Sequence, residues 1–149
     1  MQLIKGIVMS IKYELVLATI CQCTESNGTV NLTKLCHYWR ILSGRASHFN
    51  VSEFKRKLNG VGNLNSTGGR GLNGKTSCDR YSAICVANKT FKGFDYYYSM
   101  MAEAEAYMRP SIEHVLGKNG IDFQPIETPK DFELLKAELK NRLVWDGSW

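Results

Sequence analysis

Gly69-Arg-Gly-Leu-Asn-Gly74-Lys75-Thr76 has the spacing G-x4-G-K-[ST]. In that arrangement backbone N–H groups cradle phosphates, while the lysine and hydroxyl reach the terminal phosphate and magnesium. The chemistry needs a buried strand before the loop and a helix after it. Asn59–Thr67 is not an apolar strand and Ser77–Ala87 reads as strand, so the match is read as coincidence. The three histidines, His37, His48 and His114, fall in no H-E-x-x-H pattern, and no G-x-S-x-G occurs. Asp79, Glu103, Glu105 and Glu113 are scattered. A metal-dependent nuclease needs only carboxylates and a lysine, so it stays as an alternative beside the phosphate-loop enzyme. Cys21, Cys23, Cys36, Cys78 and Cys85 lack the paired spacing of a zinc site and read as buried small hydrophobes. The expectation is a protein that is not an enzyme, with no cofactor and no metal.

The residues better suited to a purpose are cationic and polar. Lys55, Arg56 and Lys57 crowd one short segment. Asn50 and Ser52, at its start, are residue types that bond base edges, and the three cations reach phosphates or guanine. Arg45 and His48 precede the segment, where contact with a nucleic-acid backbone is usual. Arg70 and Lys75 lie in or beside a glycine-rich stretch suited to a wing or a minor-groove arm. Charge is uneven along the chain. Met1–Asp95 has 13 Lys+Arg against 5 Asp+Glu, and Tyr96–Trp149 has 6 against 9. A basic first part and a mildly acidic second part suggest that the first meets a polyanion.

Two short helices must position these groups. Asn31 is placed to cap the first. Leu32, Leu35, Cys36, Trp39 and Leu42 form its apolar face, and Gly44 ends it. Asn50 caps the second, with Glu53 at its third position, a variant of the capping box. Val51, Phe54 and Leu58 turn inward, and Gly60 supplies the stop. The six residues Gly44–Phe49 are a long connector for a helix–turn–helix, whose turn usually has three or four. Gly60–Gly74 reads as a hairpin tip or loop, Thr76–Ala87 as a strand, and Thr90–Tyr98 as a second strand passing into a helix.

On either side the pattern is helical. A helix is expected from Ser10, as N-cap, to Cys23, with Met1–Val8 a dispensable leader. Ser99–Gly120 is helical in character, broken or restarted at Pro110. The last helix has Thr128 as N-cap, Pro129 at its first position and Asp131 in its first turn, with Phe132, Leu135, Leu139 and Leu143 as its packing face.

Asn27-Gly-Thr-Val-Asn-Leu-Thr-Lys-Leu-Cys36 resembles the opening of KilA-N domains, in which a glycine turn, a short strand and an Asn-x-Thr-Lys-Leu-Cys-type helix start follow one another. The resemblance covers these ten residues. The later Trp–His–Pro-like signature of that family is absent. The resemblance implies DNA binding and an origin in a phage or mobile element.

The fold expected is α+β: a basic winged-helix-like part over residues 9–94 and a helical C-terminal part over 95–149 that packs on it or dimerises, or one domain overall. The function expected is a regulator that binds double-stranded DNA in the cytoplasm. The alternative is an inhibitor or adaptor that meets a host protein through its basic face, with Tyr96–Tyr98 as anchor. No apolar run approaches the roughly 20 residues that cross a bilayer, so no membrane is expected as a partner.

Overall fold

Ten consecutive residues, Ile11–Ile20, are buried on every side apart from a half-covered Lys12, so the helix that carries them must run through the middle of the fold. The computed structural model describes residues 2–45, 49–58, 64–67, 75–101 and 110–149. Helix α1 spans Gln2–Gln22. Ser10 therefore lies inside it rather than capping it, and residues 2–8 belong to the same helix. Its only buried carboxylate, Glu14, meets Lys118 Nζ at 3.6 Å.

After the turn at Asn27–Gly28 come strand β1 (Val30–Asn31) and helix α2 (Leu32–Ser43). Asn31 caps α2 by accepting the Lys34 N–H at 3.1 Å, and Gly44 ends it at φ 71°. Helix α3 is Val51–Leu58, with Asn50 Oδ1 accepting the Glu53 N–H at 2.8 Å. The stop expected at Gly60 lies outside the described residues. Strands β2 (Leu64–Thr67) and β3 (Lys75–Cys78) are antiparallel, with Leu64 opposite Cys78 and Thr67 opposite Lys75. β1 pairs with the other edge of β3, giving a three-stranded sheet in the order β1-β3-β2.

The strand expected over Thr76–Ala87 stops at Cys78. Asp79 accepts the Ser82 N–H at 2.7 Å and starts helix α4 (Arg80–Thr90). A side-chain cap at the strand's end satisfies the first orphan donor of a helix, and that local bond outweighs the β character of Ile84 and Val86. The second strand expected after Thr90 is also absent. Helix α5 (Phe94–Met100) follows a left-handed Gly93 at φ 89°, where an added Cβ would run into the Tyr13 hydroxyl.

Helix α6 (Ile112–Lys118) starts at Ser111, just after Pro110, and helix α7 (Pro129–Asn141) starts with a complete Thr128–Asp131 capping box. The result is seven helices and a small antiparallel sheet among the described residues, an α+β fold dominated by helix. α1 packs against α2, α4, α5 and α6, while α7 lies on α2. One apolar cluster joins Ile11, Trp39, Phe54, Phe91, Val115, Phe132 and Trp145. No described helix is long and apolar enough to cross a membrane.

Candidate nucleic-acid interface

α3 has two unlike sides because its sequence is periodic. Phe54 and Leu58 are buried, whereas Ser52, Lys55 and Arg56, at i, i+3 and i+4, share one exposed face. The buried side is held by a group of aromatic rings. Trp39 stacks on Phe54 at 5.9 Å between centroids and meets Phe49 and Phe91 edge-on at 6.3 and 5.2 Å. Its indole N–H reaches Thr19 Oγ1 on α1 at 3.0 Å, so the ring that orients α3 is itself fixed to the central helix.

Two cationic side chains from other elements tie down the ends of this segment. Arg40 Nε donates to the Phe49 carbonyl at 2.8 Å, holding the connector where it re-enters α3. Lys89 Nζ, from α4, donates to the Lys57 carbonyl at 2.6 Å, at the C-terminal end of α3, where carbonyls have no partner within the helix and a cation complements the dipole. Neither residue stood out in the sequence as part of a site.

The sequence-predicted residues separate into groups. Ser52 and Lys55 are exposed on the outer face. Arg56 shares that face and ion-pairs with Glu53 three residues earlier. Asn50 is exposed, but its side-chain oxygen caps α3, so it orients the helix before it reads anything. Lys57 is half-buried on the opposite flank, with Glu53. Arg45 is exposed just after α2. Lys75 opens β3. His48 and Arg70 lie outside the described residues.

Lys57 and Arg45 border a cleft of about 210 Å³ where the connector, α3, the end of α4 and the C-terminal Trp149 meet; Phe49, Thr90 and Lys92 also line it. The Lys92 carbonyl accepts from Tyr13 Oη at 3.4 Å and Trp149 Nε1 at 3.3 Å, so it is the backbone of Lys92 that is tied in while its amine is exposed.

The enzymatic alternatives gain no geometry. Lys75 and Thr76 stand in an antiparallel strand, so the helix N-terminus that a phosphate loop requires does not follow Gly74. Among the described residues no three His, Cys, Asp or Glu side chains gather as metal ligands would. Burial pushes the Cys36 thiol up to about 11 and those of Cys23 and Cys78 up to about 12, which keeps them protonated and poor as ligands or nucleophiles. The aromatic anchor expected at Tyr96–Tyr98 divides in the same way as α3. Tyr97 stacks on Tyr13 at 5.1 Å and Tyr98 on Phe94 at 5.8 Å, leaving Tyr96 as the exposed member, 70% accessible. No protein family model, no curated protein and no solved structure matches the chain.

Proposed function

We propose that the protein binds double-stranded DNA as a winged helix, with α3 in the major groove and the β2–β3 loop on the backbone. The observation that carries this reading is the outward face of α3. Ser52, Lys55 and Arg56 are presented together, on a helix whose other side is fixed by Trp39 and whose ends are fixed by Arg40 and Lys89. A rigid helix with a cationic outer face is what a groove accepts. The element order α1-β1-α2-α3-β2-β3, with β3 central in the sheet, supports it as well. It puts α3 ahead of the antiparallel pair β2–β3, with Arg70 between the two strands in sequence. The resemblance of residues 27–36 to the opening of KilA-N domains points the same way and suggests a regulator from a phage or mobile element.

The test is binding of the full chain to random duplex DNA over a salt series. Affinity should fall linearly in log–log form as neutralised phosphates release their counterions. The variant Lys55→Ala/Arg56→Ala/Lys57→Ala should bind more weakly with a shallower slope, by roughly 0.9 for each phosphate that is no longer neutralised. Unchanged affinity and slope in that variant would sink the reading. A second reading, an adaptor that docks on a host protein, draws on Tyr96 and Met100, exposed one turn apart on α5. Retention of one protein that Tyr96→Ala abolishes, with no retention on DNA, would favour it.

A further inference from the structure

The cleft beside α3 gathers three cations from three places in the chain: Arg45 after α2, Lys57 on the inner flank of α3, and Lys92 between α4 and α5. Its one carboxylate, Glu53, is already ion-paired with Arg56. Among the described residues Arg45, Lys57 and Lys92 have no carboxylate within ion-pair distance. Like charges brought together repel unless something anionic lies between them. A concave wall whose lining includes the apolar Phe49 and Trp149 also focuses the positive field into the opening. The three side chains differ in how they are held. Lys57 is half-buried, while Arg45 and Lys92 are exposed and long enough to swing onto a bound group. At about 210 Å³ the space takes a phosphoryl group with room to spare.

We propose that this cleft is a phosphate-binding site, and that it takes one backbone phosphate of the duplex on the flank of α3 away from Ser52, Lys55 and Arg56. This rests on the DNA-binding reading and deepens it. α3 then meets the groove with its outer face, and its inner flank shares a phosphate with the turn between α4 and α5 through Lys92. The phosphate also bridges the connector and α3, two segments that Arg40 and Trp39 already hold in place.

The experiment uses the full chain and a salt series on one duplex, with wild type, Lys92→Met and, as a control on α7 outside the cleft, Lys130→Met. Lys92→Met keeps the backbone carbonyl that Tyr13 and Trp149 need, so the fold has no reason to change, and a matching melting curve checks that. The expected result is a log–log slope shallower by about 0.9 for Lys92→Met, the equivalent of one phosphate, and no change for Lys130→Met. A Lys92→Met slope equal to that of a wild type that does bind DNA overturns the phosphate site and leaves the DNA-binding reading standing. A wild type that does not bind DNA overturns both. A titration with AMP, read by tryptophan fluorescence through Trp149, separates the two sources of phosphate. Saturable quenching by AMP that Lys92→Met abolishes, with the DNA slope unaltered, would assign the cleft to a free nucleotide and overturn the backbone assignment.

Discussion

The five cysteines show how strongly position decides the chemistry of one residue type. Cys23, Cys36 and Cys78 are buried around the junction of β1, α2 and β3, and desolvation holds their thiols in the neutral form. Cys21 and Cys85 are only half-covered. A thiol reagent attacks the thiolate, so rate follows both exposure and acidity. At pH 8 a colorimetric disulfide reagent should therefore label Cys21 and Cys85 in the native protein well before the other three. All five should react at once in guanidinium. Rapid native labelling at Cys36, read by peptide mapping, would show that the junction opens far more readily than its packing implies.

At the scale of elements, the last helix gives the sharpest expectation. Asp131 accepts backbone N–H bonds from Glu127 and Thr128, at 3.0 and 3.1 Å, and these bonds hold its carboxyl below the usual carboxylate range. A depressed folded value means the cap stabilises above the unfolded pKa of about 3.9 and is lost as pH falls through the lower folded value. Asp131→Asn should thus lower the melting temperature at pH 6–7, and the gap to wild type should close as pH drops below about 4. Thr128→Ala removes the other half of the box and should cost about 1 kcal/mol at any pH. A gap for Asp131→Asn that persists at pH 2 would mean the side chain acts through something other than its charge.

That cap was legible in the sequence because Thr128, Pro129 and Asp131 satisfy one another within four residues, and so were Asn31 with Gly44 and Asn50 with Glu53. The break at Asp79 was not. Its cap sits inside a run of small, aromatic and β-branched residues whose alternation mimics a strand, and that alternation hides the Asp79–Ser82 cap that ends the extension. Nor were Arg40, Lys89, Lys92 and Trp149 legible as parts of a site. Lys89, Lys92 and Trp149 meet their partners across long separations, such as the 32 positions from Lys89 to Lys57, and Arg40 reaches across the connector to Phe49, nine positions on, so no helical spacing records these bonds.

For the whole molecule, the question is how the C-terminal helices bear on α3. Phe132 of α7 meets Tyr38 of α2 edge-on at 5.2 Å, and Lys136 Nζ donates to the Ile41 carbonyl at 2.6 Å near the end of α2. α2 in turn presents Trp39 to Phe54 on its other side. A load path therefore runs from α7 through α2 to α3, within one continuous apolar cluster. If the cluster unfolds as a unit, Phe132→Ala should lower stability by about 3–5 kcal/mol, the usual cost of emptying a buried aromatic site. Denaturant curves followed by tryptophan fluorescence and by far-ultraviolet circular dichroism should then coincide in one transition, for wild type and variant alike. On the proposed DNA-binding reading, affinity in the variant should fall only as far as the folded fraction does, since Phe132 packs on α2 and not on α3. Two separated transitions, with the one assigned to α7 moving alone in Phe132→Ala, would instead show that residues beyond Phe94 fold on their own and that α3 does not depend on them.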